Sequence, residues 1–212
     1  MPFNHNDHYH DLLLRELPAG CRRALDVGCG TGAFARKLAS RGIEVDAIDT
    51  DAEVITAARA QAAPLALPGE LTFQQADIGR VSLPPGTYDY IACLASIHHV
   101  PFETVRKLRE ALTDGGVLVI LGCYQETTPA DYLTALAASP LNAVCRLMTF
   151  LRERLTGAGP QPPSAPVADP VMPLAAIRKR AAAELPHCRV RRLLFWRYLL
   201  VFRNERRTRA TQ

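Results

Sequence analysis

Two spacings of apolar residues alternate along the first half of the chain. Short apolar runs are typical of buried strands. They predict strands at Ala24–Val27, Glu44–Asp49, Leu71–Ala76, Tyr88–Leu94 and Val117–Gly122. Between these runs, apolar residues recur at helical spacing and predict helices at Asp11–Leu17, Ala33–Arg41, Asp51–Ala62 and Phe102–Leu112. Strands that alternate with helices indicate a parallel sheet with helices on both faces.

The pattern changes after the fifth predicted strand. Thr128–Leu155 has a helical pattern rich in Ala and Leu, whereas Gly157–Pro173 is dense in Pro and Gly, which excludes a sheet element. Leu174–Leu185 predicts another helix, and His187–Leu194 and Arg197–Phe202 are close enough to pair as an antiparallel hairpin. We therefore predict an α/β, Rossmann-like, doubly wound sheet of seven strands. It is mostly parallel, with an antiparallel last hairpin strand and a helical insertion after the fifth strand.

Three alternating glycines follow the first strand, within the run Asp26–Gly32. Glycine adopts positive φ readily and lets backbone N–H groups approach a ligand at the start of the next helix. Together with Ala33 the loop also fits the dinucleotide-binding pattern, so the loop alone does not identify the nucleotide. About twenty residues further on, Asp49 ends the second strand, where an acid that binds ribose is expected. Asp51, at the start of the next predicted helix and just before Ala52, is expected to be its N-cap.

The order of these signals resembles that of the class I S-adenosylmethionine-dependent methyltransferases, of the small bacterial, methyltransferase-11-like type, over nearly the whole chain. Only the turn Thr113–Gly116 departs from the family's usual Lys/Arg-Pro-Gly-Gly. The resemblance implies S-adenosyl-L-methionine as cofactor, with its methionine and ribose portions against the glycine loop, its ribose on Asp49, and its adenine at Asp77 and Ile78. The expected cofactor contacts are Asp26, Gly28, Gly30, Gly32, Asp49, Thr50, Asp77, Ile78 and Leu94.

Candidate catalytic residues follow the fourth strand and lie near the N-terminus. Methyl transfer from a sulfonium is an in-line displacement, which is faster when the nucleophile is aligned and deprotonated. His98 and His99 follow the fourth strand, and histidine accepts protons near neutral pH. The alternative for each is a packing or capping role. Because an N-terminal helix often closes over the cofactor in the family, the resemblance implies a catalytic role for Tyr9 and an acceptor contact for His8, with a solvated helix start as the alternative.

Other segments are expected to enclose the acceptor. Tyr124 and Trp196 are candidates for aromatic walls, although such residues in a hairpin are more often core. An insertion after the fifth strand commonly covers the acceptor pocket in the family, which implies that role for residues 124–173. Residues 1–20 are expected to form a cap, and residues 1–212 to form one domain.

Composition narrows the class of protein. The chain has 212 residues, 48% of them hydrophobic, which suits one domain with a full core. No apolar run approaches the length that crosses a bilayer. Met1–His8 lacks the charged segment followed by an apolar segment that is typical of signal peptides, so we expect a cytoplasmic protein. The cysteines are widely spaced, which favours reduced thiols over disulfides or zinc. The histidines within His5–His10 have no fixed ligand spacing, and we expect no metal.

These observations favour methyl transfer to a small-molecule acceptor, at oxygen or nitrogen, with sulfur and carbon left open. A methyltransferase of nucleic acid or protein is the alternative. The net charge of +4 is modest, and no Asn/Asp-Pro-Pro-Tyr element or Pro-Cys nucleophile follows the fourth strand. Cys123 matches one cytosine-methylating arrangement only weakly. Two further alternatives are an NAD-linked oxidoreductase, against which the C-terminal hairpin argues, and a module that binds the cofactor without turnover. We expect no nucleic-acid or membrane partner, and the oligomeric state stays open.

Overall fold

A computed structural model of the protein describes residues 8–94, 104–129, 131 and 172–205. The strands in these ranges are β1 (Arg23–Val27), β2 (Glu44–Asp49), β3 (Leu71–Gln75), β4 (Tyr88–Leu94), β5 (Leu112–Cys123), β6 (Arg189–Arg192) and β7 (Arg197–Arg203). The helices in these ranges are α1 (His10–Leu14), α2 (Ala33–Ala39), α3 (Ala52–Ala62), α4 (Thr104–Glu110) and α5 (Leu174–Glu184).

The strands form one seven-stranded sheet in the order β3-β2-β1-β4-β5-β7-β6. Strands β1 to β5 pair in parallel. β7 runs antiparallel to β5 and β6. This arrangement confirms the predicted fold class and the C-terminal hairpin. The order in which strands are added to the sheet reverses at β1: β2 and β3 lie on one side of it, and β4 and β5 lie on the other. Open α/β sheets bind ligands at such a point, beyond the carboxyl ends of the strands.

Apolar side chains cover both faces of the sheet, which explains the nearly continuous apolar runs of its central strands. On one face, α1 and α2 contribute Leu13 and Phe34 to a buried cluster that includes Tyr90 of β4. On the other face, α4 and α5 contribute Leu108 and Ile177. The two clusters enclose the central strands of the sheet between them.

The structure corrects several predicted boundaries. β5 begins at Leu112 instead of Val117, because Leu112 pairs with Tyr88 before an irregularity in the β4–β5 register. The predicted helix that was to run to Leu112 therefore ends at Glu110. α1 ends at Leu14, three residues before the predicted end.

No helix in the described ranges is both long and apolar enough to cross a membrane. Of the predicted insertion at residues 124–173, only residues 124–129, 131, 172 and 173 are described. Within the described ranges the cysteines are free thiols: Cys21, Cys29, Cys93, Cys123 and Cys188.

Candidate functional site

The glycine loop after β1 has the predicted left-handed backbone at alternate positions. Gly28, Gly30 and Gly32 have φ angles of 70°, 54° and 76°. The N–H groups of Gly28 and Cys29 both donate to the carbonyl oxygen of Ile48, at 2.8 and 3.0 Å. These bonds tie the loop to the end of β2, at the carboxyl edge of the sheet.

Gly30 and Gly32 have different surroundings. A Cβ at Gly30 would meet open space, so this part of the loop presents bare backbone outward. A Cβ at Gly32 would lie 2.6 Å from ring carbons of Phe73, which a real Cβ does not tolerate. Gly32 is therefore required for packing, whereas Gly30 keeps a surface open to a ligand.

Asp49 lies beside this open surface. Its Oδ2 accepts a hydrogen bond from Gly30 N at 2.9 Å, and its Oδ1 accepts one from Asp51 N at 3.1 Å. A carboxylate has about four acceptor positions, so each oxygen of Asp49 keeps one for a ligand. The side chain of Asp51 instead accepts from the N–H groups of Glu53 and Val54 at the start of α3. That bonding confirms Asp51 as an N-cap.

Asp26 is a buried carboxylate behind the loop, with 1% of its surface exposed. Burial and the negative charge of Asp49 raise the pKa of Asp26 to about 7, against a smaller lowering by the Ala35 amide. The Ala35 amide has the smallest of these effects on the pKa, and neither carboxylate oxygen of Asp26 accepts a hydrogen bond of normal distance and angle from the described residues. A buried acid without donors favours either its neutral form or a cationic ligand.

The predicted adenine contacts lie beyond the end of β3. Oδ1 of Asp77 accepts a hydrogen bond from Gly79 N at 2.8 Å, and its half-exposed carboxylate faces Arg80 at 3.4 Å. Ile78 is buried in the core, and its carbonyl accepts from Lys107 Nζ at 2.7 Å. Asp77 thus retains acceptor positions towards solvent. The Ile78 side chain, in contrast, is almost entirely buried.

The remaining predicted cofactor contacts occupy strand ends. Thr50 follows β2 and is exposed, and its carbonyl accepts from Gln75 Nε2 at 3.1 Å. Leu94 is the last residue of β4 and is partly buried against the first core cluster. Both lie at the carboxyl edge, as the sequence predicts.

The N-terminal candidates pack against the β6–β7 turn. Tyr9 is buried, its hydroxyl donates to the carbonyl of Leu194 at 2.9 Å, and burial raises its pKa to about 12. His8 is exposed, with its ring edge-on to the rings of Tyr9 and Phe195 at 5.0 and 5.7 Å. A phenol with so high a pKa is a poor general base at neutral pH.

The other acceptor-site candidates are less accessible. His98 and His99 lie outside the described residues. Tyr124 is 2% exposed and packs in the core, with the guanidinium of Arg192 5.9 Å above its ring. Trp196 is partly buried against the first core cluster. The described structure therefore gives Tyr124 no open face as an acceptor wall, whereas part of Trp196 stays exposed; for both residues that role stays a proposal.

Sequence reasoning missed two features of this edge. Phe195 and Trp196 both have left-handed φ, 56° and 58°, although bulky residues rarely adopt it and no Asn-Gly signal marks the turn. Just after them, Nη1 of Arg197 donates to Sγ of Cys123 at 2.6 Å. The strand register that joins these two residues is not readable from the sequence.

Within the described ranges, no group of three or more His, Cys, Asp or Glu residues lies close enough to hold a metal ion. The glycine-loop region contains two acidic groups, the buried Asp26 and the partly buried Asp49, and Asp49 keeps free acceptor positions.

Comparisons with known proteins identify the family. A family model described as a methyltransferase domain matches residues 24–116. An uncharacterized methyltransferase of Mycobacterium tuberculosis is 31% identical over 209 residues, which is 95% of this chain and 97% of that protein. This chain belongs to the S-adenosylmethionine-dependent methyltransferases. The methyltransferase is thus an enzyme that uses S-adenosylmethionine. Its membership of this family rules out the alternative hypothesis of an NAD-linked oxidoreductase.

Two further proteins are similar to this methyltransferase, one in sequence and one in fold. A ubiquinone biosynthesis O-methyltransferase of Xanthomonas euvesicatoria is 30% identical over 128 residues, 59% of this methyltransferase and 52% of that protein. The solved structure of magnesium protoporphyrin IX methyltransferase from Synechocystis, with bound SAH, has a TM-score of 0.57 and 19% identity. That alignment covers 94% of this chain and 82% of the other, and it shows a shared fold.

Proposed function

We propose that this enzyme methylates a small-molecule acceptor, at an oxygen or nitrogen atom. The observation that carries the proposal is the similarity to a protein named as an O-methyltransferase of ubiquinone biosynthesis, which extends over 128 residues, 59% of the chain. The name of the magnesium protoporphyrin IX methyltransferase, which shares the fold, also describes a small-molecule substrate.

The chain offers a fitting place for each part of the cofactor. The buried carboxylate of Asp26 is suited to the cationic amine of the methionine portion, because neither of its oxygens accepts a hydrogen bond from the described residues. Bare backbone at Gly30 admits the ligand, and the remaining acceptor positions of Asp49 suit the ribose hydroxyls. When bound there, the cofactor supplies an electrophilic methyl group on a sulfonium.

The adenine end extends along the same edge of the sheet. We assign Asp77 to the adenine amine, because its carboxylate keeps acceptor positions towards solvent. Ile78, Thr50 and Leu94 complete the cofactor contacts at the ends of β3, β2 and β4, with Gly28 and Gly32 shaping the loop.

Two segments are proposed to enclose the acceptor within a single domain. Residues 1–20 act as a cap, since Tyr9 is bonded to Leu194, and Tyr90 of β4 donates to the Leu13 carbonyl at 2.9 Å. Residues 124–173 act as a cover. Gln125 N donates to the Met172 carbonyl at 2.9 Å, which brings the two ends of this insertion together beyond β5.

Catalysis is proposed to rest on alignment of the acceptor, with His98 or His99 as general base. Tyr9 contributes position through its hydrogen bond to the Leu194 carbonyl, and its hydroxyl stays protonated because burial raises its pKa to about 12. His8, Tyr124 and Trp196 are proposed to surround the acceptor. His8 is exposed and Trp196 partly exposed, and the buried Tyr124 directly follows the last residue of β5.

Methyl-labelled S-adenosylmethionine and a panel of phenols, amines and organic acids test this proposal, with products detected by mass. We expect label on at least one small molecule, and none with Gly30→Val, because a branched side chain fills the ligand's space and resists the φ of 54°. Parallel reactions contain RNA and denatured protein. Label in RNA or protein alone would overturn the proposal.

A further inference from the structure

Arg197 lies where an acceptor is expected. It is the first residue of β7 and pairs in register with Cys123, the last residue of β5. Because β7 runs antiparallel to β5, this places Arg197 at the carboxyl edge of the parallel strands, the edge at which open α/β sheets bind ligands. Its charge is also close enough to Tyr9 of the N-terminal segment to oppose part of the rise in the Tyr9 pKa that burial causes.

The guanidinium of Arg197 is half-buried and poorly partnered. Among the described residues, its one side-chain hydrogen bond is donated from Nη1 to Sγ of Cys123, and its buried Nε has no acceptor. Burial raises the pKa of the Cys123 thiol, with Arg197 offsetting only part of the rise, so Arg197 faces a neutral sulfur. Sulfur is a weak acceptor, and a desolvated cation without an anion is unfavourable.

Neighbouring arginines of the same hairpin differ in this respect. Arg189 and Arg203 reach Glu16 at 3.7 and 2.9 Å, and Arg192 reaches the buried Asp131 at 2.6 Å. No carboxylate among the described residues forms an ion pair with Arg197. Arg197 therefore differs from these three arginines by its lack of an ion pair, and it differs from the exposed Arg191 by its partial burial.

An unfavourable turn precedes Arg197 and fixes the position of its backbone. Phe195 and Trp196, directly before it, both have left-handed φ, which is strained for bulky side chains. Phe195 is nevertheless fully buried, and Leu193 N donates to the Arg197 carbonyl at 2.8 Å. Strain of this kind persists where the surroundings fix it, and it concentrates at binding and catalytic sites.

We propose that Arg197 binds a carboxylate of the methyl acceptor, so that the acceptor is a small organic acid. A planar guanidinium matches a carboxylate through two parallel hydrogen bonds, which makes arginine a selective anchor for that group. Trp196, which directly precedes Arg197 and is partly exposed, favours an acid with an aromatic or apolar body. This inference rests on the proposed transfer to a small molecule and names its substrate class.

The test compares acids with their neutral amides. Para-hydroxybenzoate and para-aminobenzoate are paired with the corresponding benzamides, and both methyl transfer and the shift in thermal unfolding of the S-adenosylhomocysteine-bound protein are measured. The variants are Arg197→Gln, Arg197→Lys and a control, Arg191→Gln, which alters an exposed arginine on the same hairpin. Circular dichroism and S-adenosylmethionine affinity establish that each variant is folded.

We expect wild-type enzyme and Arg191→Gln to prefer the acids. Arg197→Gln should raise KM for the acids roughly 10- to 100-fold, the loss of a charged hydrogen bond, with little effect on kcat or on the amides. Arg197→Lys should recover part of the preference, because it keeps the charge and loses the planar fork. If Arg197→Gln does not fold, Arg197→Lys must still lose preference measurably.

Other outcomes overturn the inference in distinguishable ways. If wild-type enzyme methylates acids and amides equally well, Arg197 does not select the acceptor. The same conclusion follows if the Arg197 variants keep the preference for acids. Either result would leave small-molecule methyl transfer intact. Absence of label on every small molecule, with S-adenosylmethionine still bound, would overturn the proposed function and this inference together.

Discussion

Oδ2 of Asp49 accepts a hydrogen bond of 2.9 Å from the backbone N–H of Gly30. The last residue of β2 therefore holds the middle of the glycine loop that follows β1. The same carboxylate keeps free acceptor positions beside the open face of Gly30. One residue thus both shapes the glycine loop and keeps the acceptor positions that we propose for the ribose.

Asp49→Ala should weaken S-adenosylmethionine binding, because the ribose hydroxyls lose their acceptor and the loop loses its support. A hydrogen bond to a charged group contributes about 1.5–3 kcal/mol, or roughly 10- to 150-fold in affinity. Asp51→Ala is the matched control: it removes the N-cap of α3, costing about 1 kcal/mol of stability, while affinity should hold. Calorimetry measures both. Equal affinity in wild type and a folded Asp49→Ala protein would show that the ribose assignment is wrong.

Gly30→Ala and Gly32→Ala should separate binding from folding. At Gly30 a Cβ meets no atom, so the cost to stability is the left-handed strain of about 1–2 kcal/mol, but the new methyl group obstructs the cofactor. At Gly32 the Cβ also collides with Phe73 at 2.6 Å, which adds about 1–3 kcal/mol of overpacking. Thermal unfolding and titration should find Gly32→Ala the less stable and Gly30→Ala impaired mainly in binding. The reverse order would contradict the geometry described for the loop.

Asp26 should make cofactor binding depend on pH. Its pKa is raised from 3.8 to about 7, so in the free protein it binds a proton that the unfolded chain releases near pH 4. Stability from this group is therefore present at low pH and lost as pH rises from 4 towards 7. A cationic ligand favours the ionised form, so affinity should increase by up to about tenfold per pH unit below pH 7.

Titrations at several pH values, for wild type and Asp26→Asn, test this linkage. The variant corrects for titration of the ligand's own amine, because both proteins bind the same molecule. We expect a steeper rise in affinity with pH for the wild type. Parallel pH profiles would mean that Asp26 does not change its charge on binding.

His98→Ala and His99→Ala test the general base. If either histidine accepts the proton, its loss should lower turnover about 10²- to 10⁴-fold, remove the acidic limb of the pH profile, and leave cofactor affinity nearly unchanged. Tyr9→Phe is the comparison, because the Tyr9 phenol has a pKa of about 12 and should not titrate in that range. Near-normal turnover and an unchanged profile in both histidine variants would mean that alignment alone carries the reaction.

The sequence predicted the parts of this molecule that local patterns determine. β2 and β4 have the predicted bounds, because their apolar runs end where the strands end. The three positive φ angles of the loop follow from its glycines, and the Asp51 cap follows from residue type. The start of β5 was predicted wrongly at Val117, because the pairing of Leu112 with Tyr88 depends on a distant strand.

The acceptor end could not be predicted in the same detail. The contact between Arg197 and Cys123 depends on the β5–β7 register, and the left-handed turn at Phe195 and Trp196 opposes the preferences of both residues. The place of Tyr9 depends on a bond to Leu194, far along the chain. These positions are fixed by packing between distant segments, for which a single sequence carries no local signal.

A crystal structure of the protein with S-adenosylhomocysteine tests the central claim most directly. The account predicts the ribose hydroxyls on the Asp49 carboxylate, the amine at Asp26, the chain of the ligand over Gly30, and the adenine beside Asp77. A ligand bound with Asp49 and Gly30 outside contact distance, or no ligand at this edge of the sheet at a saturating concentration, would contradict it.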